Sequence, residues 1–452
     1  MNDVISRLRE KVKGKVTDDP ISMDMYRRDQ CLLTDAGEPL VVVHAASTDD
    51  VVATLKIAND ALVPVVTRGT GTGLSGAANA IDGCIILSTA GMNSILGIDP
   101  VARTATVMAG VINGDLDREA KRHGLWYVPD PGSKDISSIG GNLATNAGGM
   151  CCAKYGVTGD HAMSLKAVLA DGTIIHTGSS TRKNVAGLDL NRLLIGSEGT
   201  LAVIVEATVR LRSLPVGVST VVATFTDFRA AIDAVLDIAN NAEPSAVEVM
   251  DRTTVSAVNA MTRMGLDETA EAIVLIQCDG ASSSLEAELC ATVSKKHGAT
   301  EVFSTDNLSE GQALMEARRA ALPALERLGT TLLDDVCVAV HRLPELLSAI
   351  EQIATDHQVT IGTFGHAADG NLHPTIVFDP THPDGLRRAR SAFDAIVRAT
   401  IAPNGTISGE HGIGVLKAPY LSSQLGAAEL ALSARIKGAF DPNGILNPGR
   451  GY

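Results

Sequence analysis

Apolar and polar positions follow two different periods along this chain, and the period changes from place to place. Short apolar runs bounded by Pro, Gly or Asp predict strands at 40–43, 63–67, 84–88, 104–107, 173–176 and 202–211. Between the first two, Ser47-Thr48-Asp49-Asp50 has the form of a capping box and predicts a helix over 51–61. Another helix is predicted near 114–124, and residues 1–35 read as a helical, charged lead-in. The pattern changes near Ser213-Leu214-Pro215. Beyond it, strand 219–224, helix 228–239 and strand 246–250 precede strand 272–278, helix 284–296 and strand 300–304. That succession reads as two βαβ units of a ferredoxin-like sheet. A helix over 308–328, a strand over 331–340 and a helix over 344–357 follow, and a last helix is predicted at 426–440. Strands and helices mix without strict βαβ regularity, so the class is α+β.

Composition narrows the function. At 452 residues the chain has room for two or three domains and needs no disulfide staple. Its net charge of −14 argues against nucleic acid as the main partner, because phosphate binding needs a basic surface. Aromatic residues are 3%, too few for a single-strand stacking platform. The seven cysteines contain no Cys-x-x-Cys, which argues against an iron–sulfur cluster or a cysteine-rich zinc site. An odd, scattered cysteine count fits a reducing cytoplasm. No apolar stretch is long enough for a membrane span, and no apolar segment of a signal peptide follows Met1-Asn2-Asp3-Val4.

The glycines carry more information. They cluster at 69–76, 140–149, 196–199 and 409–414. Residues 71–76 spell G-x-G-x-x-G, but a dinucleotide fingerprint needs a crossover helix before the next strand. Only 77–83 separate Gly76 from the strand at 84–88, too short a span for that helix. No Gly-Lys-Ser/Thr ends the loop, so it is no Walker loop either. What remains is a run of backbone N–H groups with little side chain, a nest suited to a diphosphate. A second run, 129–149, is dominated by Gly, Ser, Thr and Asn; it cannot pack a core by itself and can offer donors and acceptors to a large planar polar ligand. A third, Ile195-Gly196-Ser197-Glu198-Gly199-Thr200, precedes the strand at 202–211.

A different chemistry stands further on. His366-Ala367-Ala368-Asp369-Gly370-Asn371-Leu372-His373 lies between apolar runs 359–364 and 374–378, the pattern of a hairpin with a five- or six-residue loop. A hairpin can bring His366 and His373 to one ion, and Glu410 would add a carboxylate. Asp369 fits a turn-shaping role. His411, beside Glu410, either faces substrate or supports the ion's ligands. Arg318 and Arg319 read by default as a solvated helix face, and Lys417 reads equally as an anion contact or as surface.

Five motifs in order, R-G-T-G-T-G-L-S-G, D-P-G-S with I-G-G-N-L-A-T-N-A-G-G, K-Y-G-V-T, G-S-E-G-T-L, and G-H-A-A-D-G-N-L-H with G-E-H-G-I-G, resemble one family. The first four look like the vanillyl-alcohol-oxidase type of FAD-binding domain, and the last narrows the resemblance to the FAD-linked D-2-hydroxy-acid dehydrogenases. It covers roughly residues 35–452. It implies a two-subdomain FAD-binding domain at 1–214, a substrate-cap domain at 215–405, and a segment 406–452 returning to the FAD domain, with flavin expected between them.

The resemblance also implies residue roles. Arg68, Gly69, Thr70, Gly71, Thr72, Gly73, Leu74 and Ser75 would hold the FAD diphosphate. Pro131, Gly132, Ser133, Ser138, Gly140, Gly141, Asn142, Asn146, Gly148, Gly149, Tyr155, Gly156, Glu198, Gly199 and Asn447 would line the rest of the cofactor. Some relatives link flavin to a histidine in the first loop; Arg68 stands in that region here, which implies non-covalent FAD. Cys151-Cys152 read as a pair of buried thiols rather than a flavin link. His366, His373 and Glu410 would ligate a divalent metal, zinc, manganese or iron. His411 would be the general base, with hydride passing to flavin N5, while Arg318 binds the substrate carboxylate and Asn371 joins the catalytic set.

The implied function is oxidation of a small D-2-hydroxy acid, of the D-lactate or glycolate type, to the 2-oxo acid. D-2-hydroxyglutarate is the alternative substrate. The hydroxyglutarate branch has a threonine and a lysine where this chain has Leu322 and, roughly, Leu333, which favours a monocarboxylate. Two other classes stand beside it: a metal-dependent hydrolase, which leaves the glycine loops unexplained, and a non-catalytic flavin-binding subunit. The electron acceptor would be a quinone, a cytochrome, an electron-transfer flavoprotein or oxygen, and any iron–sulfur relay would be a separate subunit. A homodimer is compatible with the resemblance. The expected location is the cytoplasm, at most peripheral to the membrane.

Overall fold

The computed structural model describes residues 2–31, 33–181, 183–402 and 404–451. The chain forms two compact units. One comprises Met1–Gly148, Gly156–Leu214 and Glu410–Tyr452; the other comprises Gly149–Tyr155 and Pro215–Gly409.

In the first unit, strands β1 (Lys15–Thr17), β2 (Val41–His44), β3 (Val65–Arg68) and β4 (Ile85–Ser88) form a sheet in the order β1-β2-β4-β3. Strands β2 and β3 run parallel to β4, and β1 pairs antiparallel with β2. Ile85, Ile86 and Leu87 on β4 are fully buried, as a continuous apolar run on a central parallel strand should be. Each such side chain contributes about 1.5–3 kcal/mol. Helix Thr48–Ala61 carries the chain from β2 toward β3. Its N-cap Ser47 accepts from Asp50 N at 3.3 Å. Only that half of the capping box forms, because the Asp50 carboxylate accepts instead from Lys13 N at 2.7 Å and Ala46 N at 2.9 Å. The link from β3 to β4 contains no helix, in keeping with its short spacing.

The first unit has a second sheet. Strands β5 (Ile95–Asp99), β6 (Thr104–Met108), β8 (Ala162–Val168), β9 (Ile174–Gly178) and β10 (Val203–Arg210) lie in the order β5-β6-β10-β8-β9, antiparallel throughout. A small ribbon pairs β7 (Leu125–Trp126) with β11 (Arg212–Ser213). Val168, Val203 and Val205 share one core with Val41, Val43, Ile85 and Leu87 of the first sheet. The C-terminal tail closes on β3 through a parallel bridge between Val65 and Leu446.

The second unit is built on one sheet. Its strands are β12 (Val218–Phe225), β13 (Ala246–Asp251), β14 (Ala272–Asp279), β15 (Glu301–Thr305), β16 (Thr330–Leu333), β17 (Val336–Cys337), β18 (Thr360–His366) and β19 (Asn371–Phe378). The order is β15-β12-β14-β13-β18-β19-β16, with β17 on β19. The first four strands, with crossover helices Phe228–Asn241 and Ser283–Lys296, have the ferredoxin-like arrangement read from the sequence. The hairpin β18–β19 then extends that sheet along β13.

Several expectations are corrected. The lead-in 1–35 is not all helical: helices Asn2–Lys11 and Pro20–Asp24 flank β1, which gains partners on β2. The helix predicted over 308–328 is two, Leu308–Arg319 and Ala321–Glu326. The strand predicted over 331–340 breaks at Asp334-Asp335, both buried: Asp334 accepts from the neighbouring Asp335 N at 2.8 Å, and the Asp335 carboxylate accepts from the distant Asn371 and Ser408. Strand β8 and helices Arg252–Thr262 and Gly385–Ile401 escape a reading by periodicity, because their apolar residues are interleaved with Ser, Thr, Lys and Arg; β5, Ile-Leu-Gly-Ile-Asp, is short and interrupted by Gly97. The polar run 129–149 packs no core by itself, but it contributes two apolar side chains to one built with other segments. It contains helix Ile139–Thr145, and Ile139 and Leu143 are fully buried in the core of the second sheet.

Candidate functional site

The first unit presents a cradle made of backbone. The glycine loop leaves the C-terminal end of β3, where ligands gather in parallel sheets. Gly71 has φ +76°, and a Cβ there would fall within the Arg68 guanidinium, so no side chain fits. Arg68 is buried and donates from Nη1 to the Arg28 carbonyl at 2.8 Å. Burial lowers its pKa, with Asp29 and Tyr26 opposing. The Gly73 carbonyl accepts from Gln30 N at 2.9 Å, and the buried Ser75 ends the loop. The second polar run approaches the first: a Cβ on Gly69 would collide with Ser138 Oγ. Ser138 caps helix Ile139–Thr145, accepting from Gly141 N at 3.3 Å, while Ile139 N and Gly140 N donate to the Val111 and Ala109 carbonyls at 2.8 Å, so the helix start is fixed by protein partners. Pro131, Gly132 and Ser133 form the turn before it, with Lys134 N on the Pro131 carbonyl.

Four buried polar atoms around this cradle have no hydrogen-bond partner among the described residues: Thr67 Oγ1, Thr70 Oγ1, Ser137 Oγ and Asn142 Nδ2. Buried orphans of this kind are uncommon in a finished interior and point to a polar ligand. The cradle fits FAD in its donors and in its lack of side chains. Asn146, in the left-handed region, accepts from Gly159 N at 2.9 Å, and Asn447 accepts from Thr67 N at 3.0 Å while donating to the Glu198 carbonyl. These two amides, with Gly199 against Asn447, hold the loops rather than reaching outward.

The segment after residue 409 also belongs to this unit. A Cβ on Gly148 would collide with the Glu410 carboxylate, so the second glycine run lies directly against Glu410. His411 Nε2 stands 3.9 Å from Glu410 Oε1. The Glu198 carboxylate accepts from Ile413 N at 2.9 Å and from Gly414 N at 2.9 and 3.1 Å. Burial pushes its pKa up to about 7, against those N–H donors. Lys417 is 2% exposed, so the surface reading is overturned.

The second unit presents a cluster of charges. In the hairpin, His366 pairs with Asn371 and Phe364 with His373, which puts both imidazoles on one face as diagonal neighbours. Their ring centroids are 5.2 Å apart. The loop between the strands is four residues, 367–370, shorter than expected. Glu248 on β13, fully buried, lies 2.6 Å from His366 Nδ1 and 2.7 Å from Arg318 Nε. Burial works against its charge, but His366 and Arg318 hold its carboxyl below the usual range. Arg318 is itself buried and sits 4.6 Å over the Phe364 ring. Its two terminal amino groups make no hydrogen bond among the described residues. His373 Nδ1 is 3.7 Å from Asp335 Oδ1. Asp335 also accepts from Asn371 Nδ2 at 2.8 Å and Ser408 Oγ at 2.9 Å. A carboxylate on Nδ1 fixes the ring of His366, as it does in a metal-binding histidine. This donor set fits a divalent ion.

Other expected residues stand elsewhere. Gly149 and Tyr155 belong to the second unit, and the Tyr155 hydroxyl is spent on Asp279 at 2.8 and 2.9 Å, beside Lys154. Gly156, φ +83°, lies against the Asp160 carboxylate. Cys151 is buried but Cys152 is half-buried. Arg319 pairs with Glu316 on the helix surface. Sequence reasoning missed Glu248 and Asp335. The signal for the first was a lone acid inside the apolar strand Ala246-Val247-Glu248-Val249-Met250, a position that demands a partner.

Fold and cradle together define a flavin-binding protein. Solved structures share the fold: p-cresol methylhydroxylase with substrate bound (TM-score 0.85, 17% identical, covering 100% of this chain and 96% of that one) and 4-ethylphenol oxidase from Gulosibacter chungangensis (TM-score 0.80, 19%, 100% and 96%). It is the mixed α+β fold of the vanillyl-alcohol-oxidase type. The FAD binding domain family matches residues 39–178, and the family of FAD linked oxidases, C-terminal domain, matches residues 214–450. The chain belongs to the FAD-linked oxidase family, and FAD is its cofactor. Glycolate oxidase subunit GlcD of Bacillus subtilis (strain 168) is 42% identical over 416 residues, covering 91% of this chain and 88% of that protein. D-lactate dehydrogenase of Archaeoglobus fulgidus is 35% identical over 432 residues, covering 94% and 95%. Among the described residues no helix is long and apolar enough to cross a membrane.

Proposed function

We propose that this chain oxidises a small D-2-hydroxy acid, of the D-lactate or glycolate type, to the 2-oxo acid, with FAD held non-covalently. The observation that carries the reading is the buried cluster in which Glu248 joins His366 to Arg318. It sets an anion-binding guanidinium beside an oriented imidazole, the two groups a hydroxy acid needs. The names of the relatives, a glycolate oxidase subunit and a D-lactate dehydrogenase, support the same substrate class.

In this reading the terminal amino groups of Arg318 take the substrate carboxylate by charge-assisted hydrogen bonds. His366 and His373, with Glu410 as the residue covalently following Gly409, hold zinc, manganese or iron. When bound, such an ion lowers the pKa of the substrate hydroxyl. His411 accepts the hydroxyl proton. Asn371 keeps Asp335 in place beside His373. The substrate loses two electrons, its C2 hydrogen and its hydroxyl proton; FAD, when bound, supplies the acceptor for the electrons and the C2 hydrogen. Leu322 and Leu333, both packed against the core of the second unit, offer no second cation and so favour a monocarboxylate over hydroxyglutarate.

An anaerobic screen of 2-hydroxy acids against the yellow holoenzyme tests this. D-lactate or glycolate is expected to bleach the flavin fastest. Faster bleaching by D-2-hydroxyglutarate replaces the substrate assignment. A yellow protein inert to every hydroxy acid, or a colourless one with hydrolase activity, overturns the proposal. Reoxidation with a quinone, a cytochrome, an electron-transfer flavoprotein or oxygen then identifies the acceptor.

A further inference from the structure

The resemblance assigns Glu198 to the cofactor. The geometry points elsewhere, and we infer that Glu198 is a positioning residue, a clasp that fixes residues 410–414 and so sets where Glu410 and His411 stand. The importance given to those two residues rests on the proposed function; the clasp itself rests on contacts within the first unit.

Both oxygens of Glu198 are occupied. Oε1 accepts from Ile413 N and Gly414 N, and Oε2 accepts from Gly414 N. Its own backbone is tied on both sides, with N on the Ala144 carbonyl at 2.8 Å and its carbonyl receiving Asn447 Nδ2. Glu198 is 5% exposed and holds φ +51°, a strained value for a residue with a side chain. Strain of this kind persists only where surrounding contacts fix it, and here they aim the carboxylate at the segment. The glycine loop holds the same segment from a second direction. The Ser75 carbonyl accepts from Val415 N at 2.9 Å and Leu416 N at 3.0 Å, and Ser75 Oγ donates to the His411 carbonyl at 3.2 Å.

This explains two glycines of G-E-H-G-I-G that otherwise read as ligand approaches. A Cβ on Gly412, φ +85°, would strike Glu198 Oε1, and one on Gly414, φ +52°, would strike the Ser75 carbonyl. Both are glycine because protein, not ligand, comes that close. Glu410 and His411 are the two residues immediately before this pinned stretch. A shift of the backbone by an ångström moves their side chains off any productive geometry, a displacement that can cost about 100-fold in rate.

The test uses the full-length holoenzyme. In Glu198→Gln one acceptor becomes an amide donor facing an N–H group, so at least one clasp bond is lost. Hydrogen exchange in the peptide spanning 410–416 is expected to quicken, divalent metal content to fall, and kcat to drop about 10- to 100-fold with a smaller change in KM. FAD content is expected to stay at the wild-type level. Glu198→Asp, which keeps both acceptors on a shorter arm, should recover part of the protection and part of kcat. Gly412→Ala attacks the clasp from the other side and should reproduce the exchange change with Glu198 intact. Wild-type exchange and metal content in Glu198→Gln overturn the clasp, and so does loss of FAD with 410–416 still protected. If the wild-type protein turns over no hydroxy acid and carries no divalent metal while Glu198→Gln still loosens 410–416, the clasp stands and the proposed function falls.

Discussion

Two buried glutamates, one in each unit, solve the same problem in opposite ways. Glu198 in the first unit is met by backbone N–H groups, and burial still pushes its pKa up to about 7. Glu248 in the second is more deeply buried, yet His366 and Arg318 hold it below the usual carboxylate range. Neutral dipoles orient a carboxylate without fully offsetting its lost hydration; adjacent cations do offset it. The first unit therefore builds its site from backbone shape, with a glycine loop, a capped helix start and orphaned hydroxyls. The second builds from charge. Substitutions should act through shape in one and through electrostatics in the other.

The largest effect is expected at the chemistry. His411→Ala should lose turnover by about 10²–10⁴, with FAD and metal content nearly unchanged. Anaerobic stopped-flow reduction with metal analysis on the same sample decides it: loss of metal would make His411 a ligand or orienter instead. His373→Ala, or chelation, should by contrast remove the divalent ion and most activity while leaving FAD bound. A metal-free wild type with full turnover would sink that assignment.

Stability sharpens the contrast. Glu248→Gln leaves the Arg318 guanidinium buried without its counter-charge and should cost about 3–5 kcal/mol by denaturant titration. Glu198→Gln, whose partners are neutral, should stay within about 1 kcal/mol at neutral pH. Equal costs would erase the distinction between the two units.

Shape in the first unit is probed by Gly71→Ala. It forces a side chain into φ +76° and into Arg68, so it should cost about 1–2 kcal/mol and lower FAD content. Gly73 is the comparison, since a Cβ there meets only Asp29, with Oδ2 nearest at 3.1 Å. Gly73→Ala should keep more flavin than Gly71→Ala, while the branched Gly73→Val should lose it. Full occupancy in all three would count against the cradle.

The pH dependence follows from the raised carboxyls. Between its ordinary pKa of 4.5 and about 7, Glu198 keeps its proton in the folded chain and has lost it in the unfolded one. The unfolded state then binds fewer protons, so stability falls as pH rises through that window, by about 1.4 kcal/mol per unit. Asp29, raised by burial from 3.8 to about 6, acts in the same direction at lower pH. Unfolding midpoints across this range should therefore show wild type losing ground to Glu198→Gln as pH rises, and a constant difference would refute the shift. The smallest effect is expected for Ser138→Ala, which removes a helix cap worth about 1 kcal/mol and should lower the Tm slightly.

Much of this molecule was legible in the sequence where the signal is local. Ser47 announced its helix, the spacing after Gly76 excluded a crossover helix, and the βαβ pattern beyond 215 gave the ferredoxin-like strand order. Local signals failed where long-range partners decide. The run 137–149 looks like loop because Gly, Asn and Thr favour no helix, but Ser138 caps it and burial of Ile139 and Leu143 outweighs that propensity. Tyr155 sits inside a family motif, yet its hydroxyl is taken by Asp279, 124 residues away.

The amino-acid sequence by itself determined that the cofactor is FAD, because glycine runs are stretches of chain that carry their chemistry within a few residues. Its pattern also changes at 213–215, where Leu214 ends a segment of one unit and Pro215 begins a segment of the other. Tertiary structure alone decided which carboxylate meets which group. Glu248 reaches His366 across 118 residues, and Glu198 reaches Gly414 across 216. Hydrogen bonds and ion pairs act over about 3 Å whatever the separation along the chain, so strand order and loop return, not spacing, choose the partners.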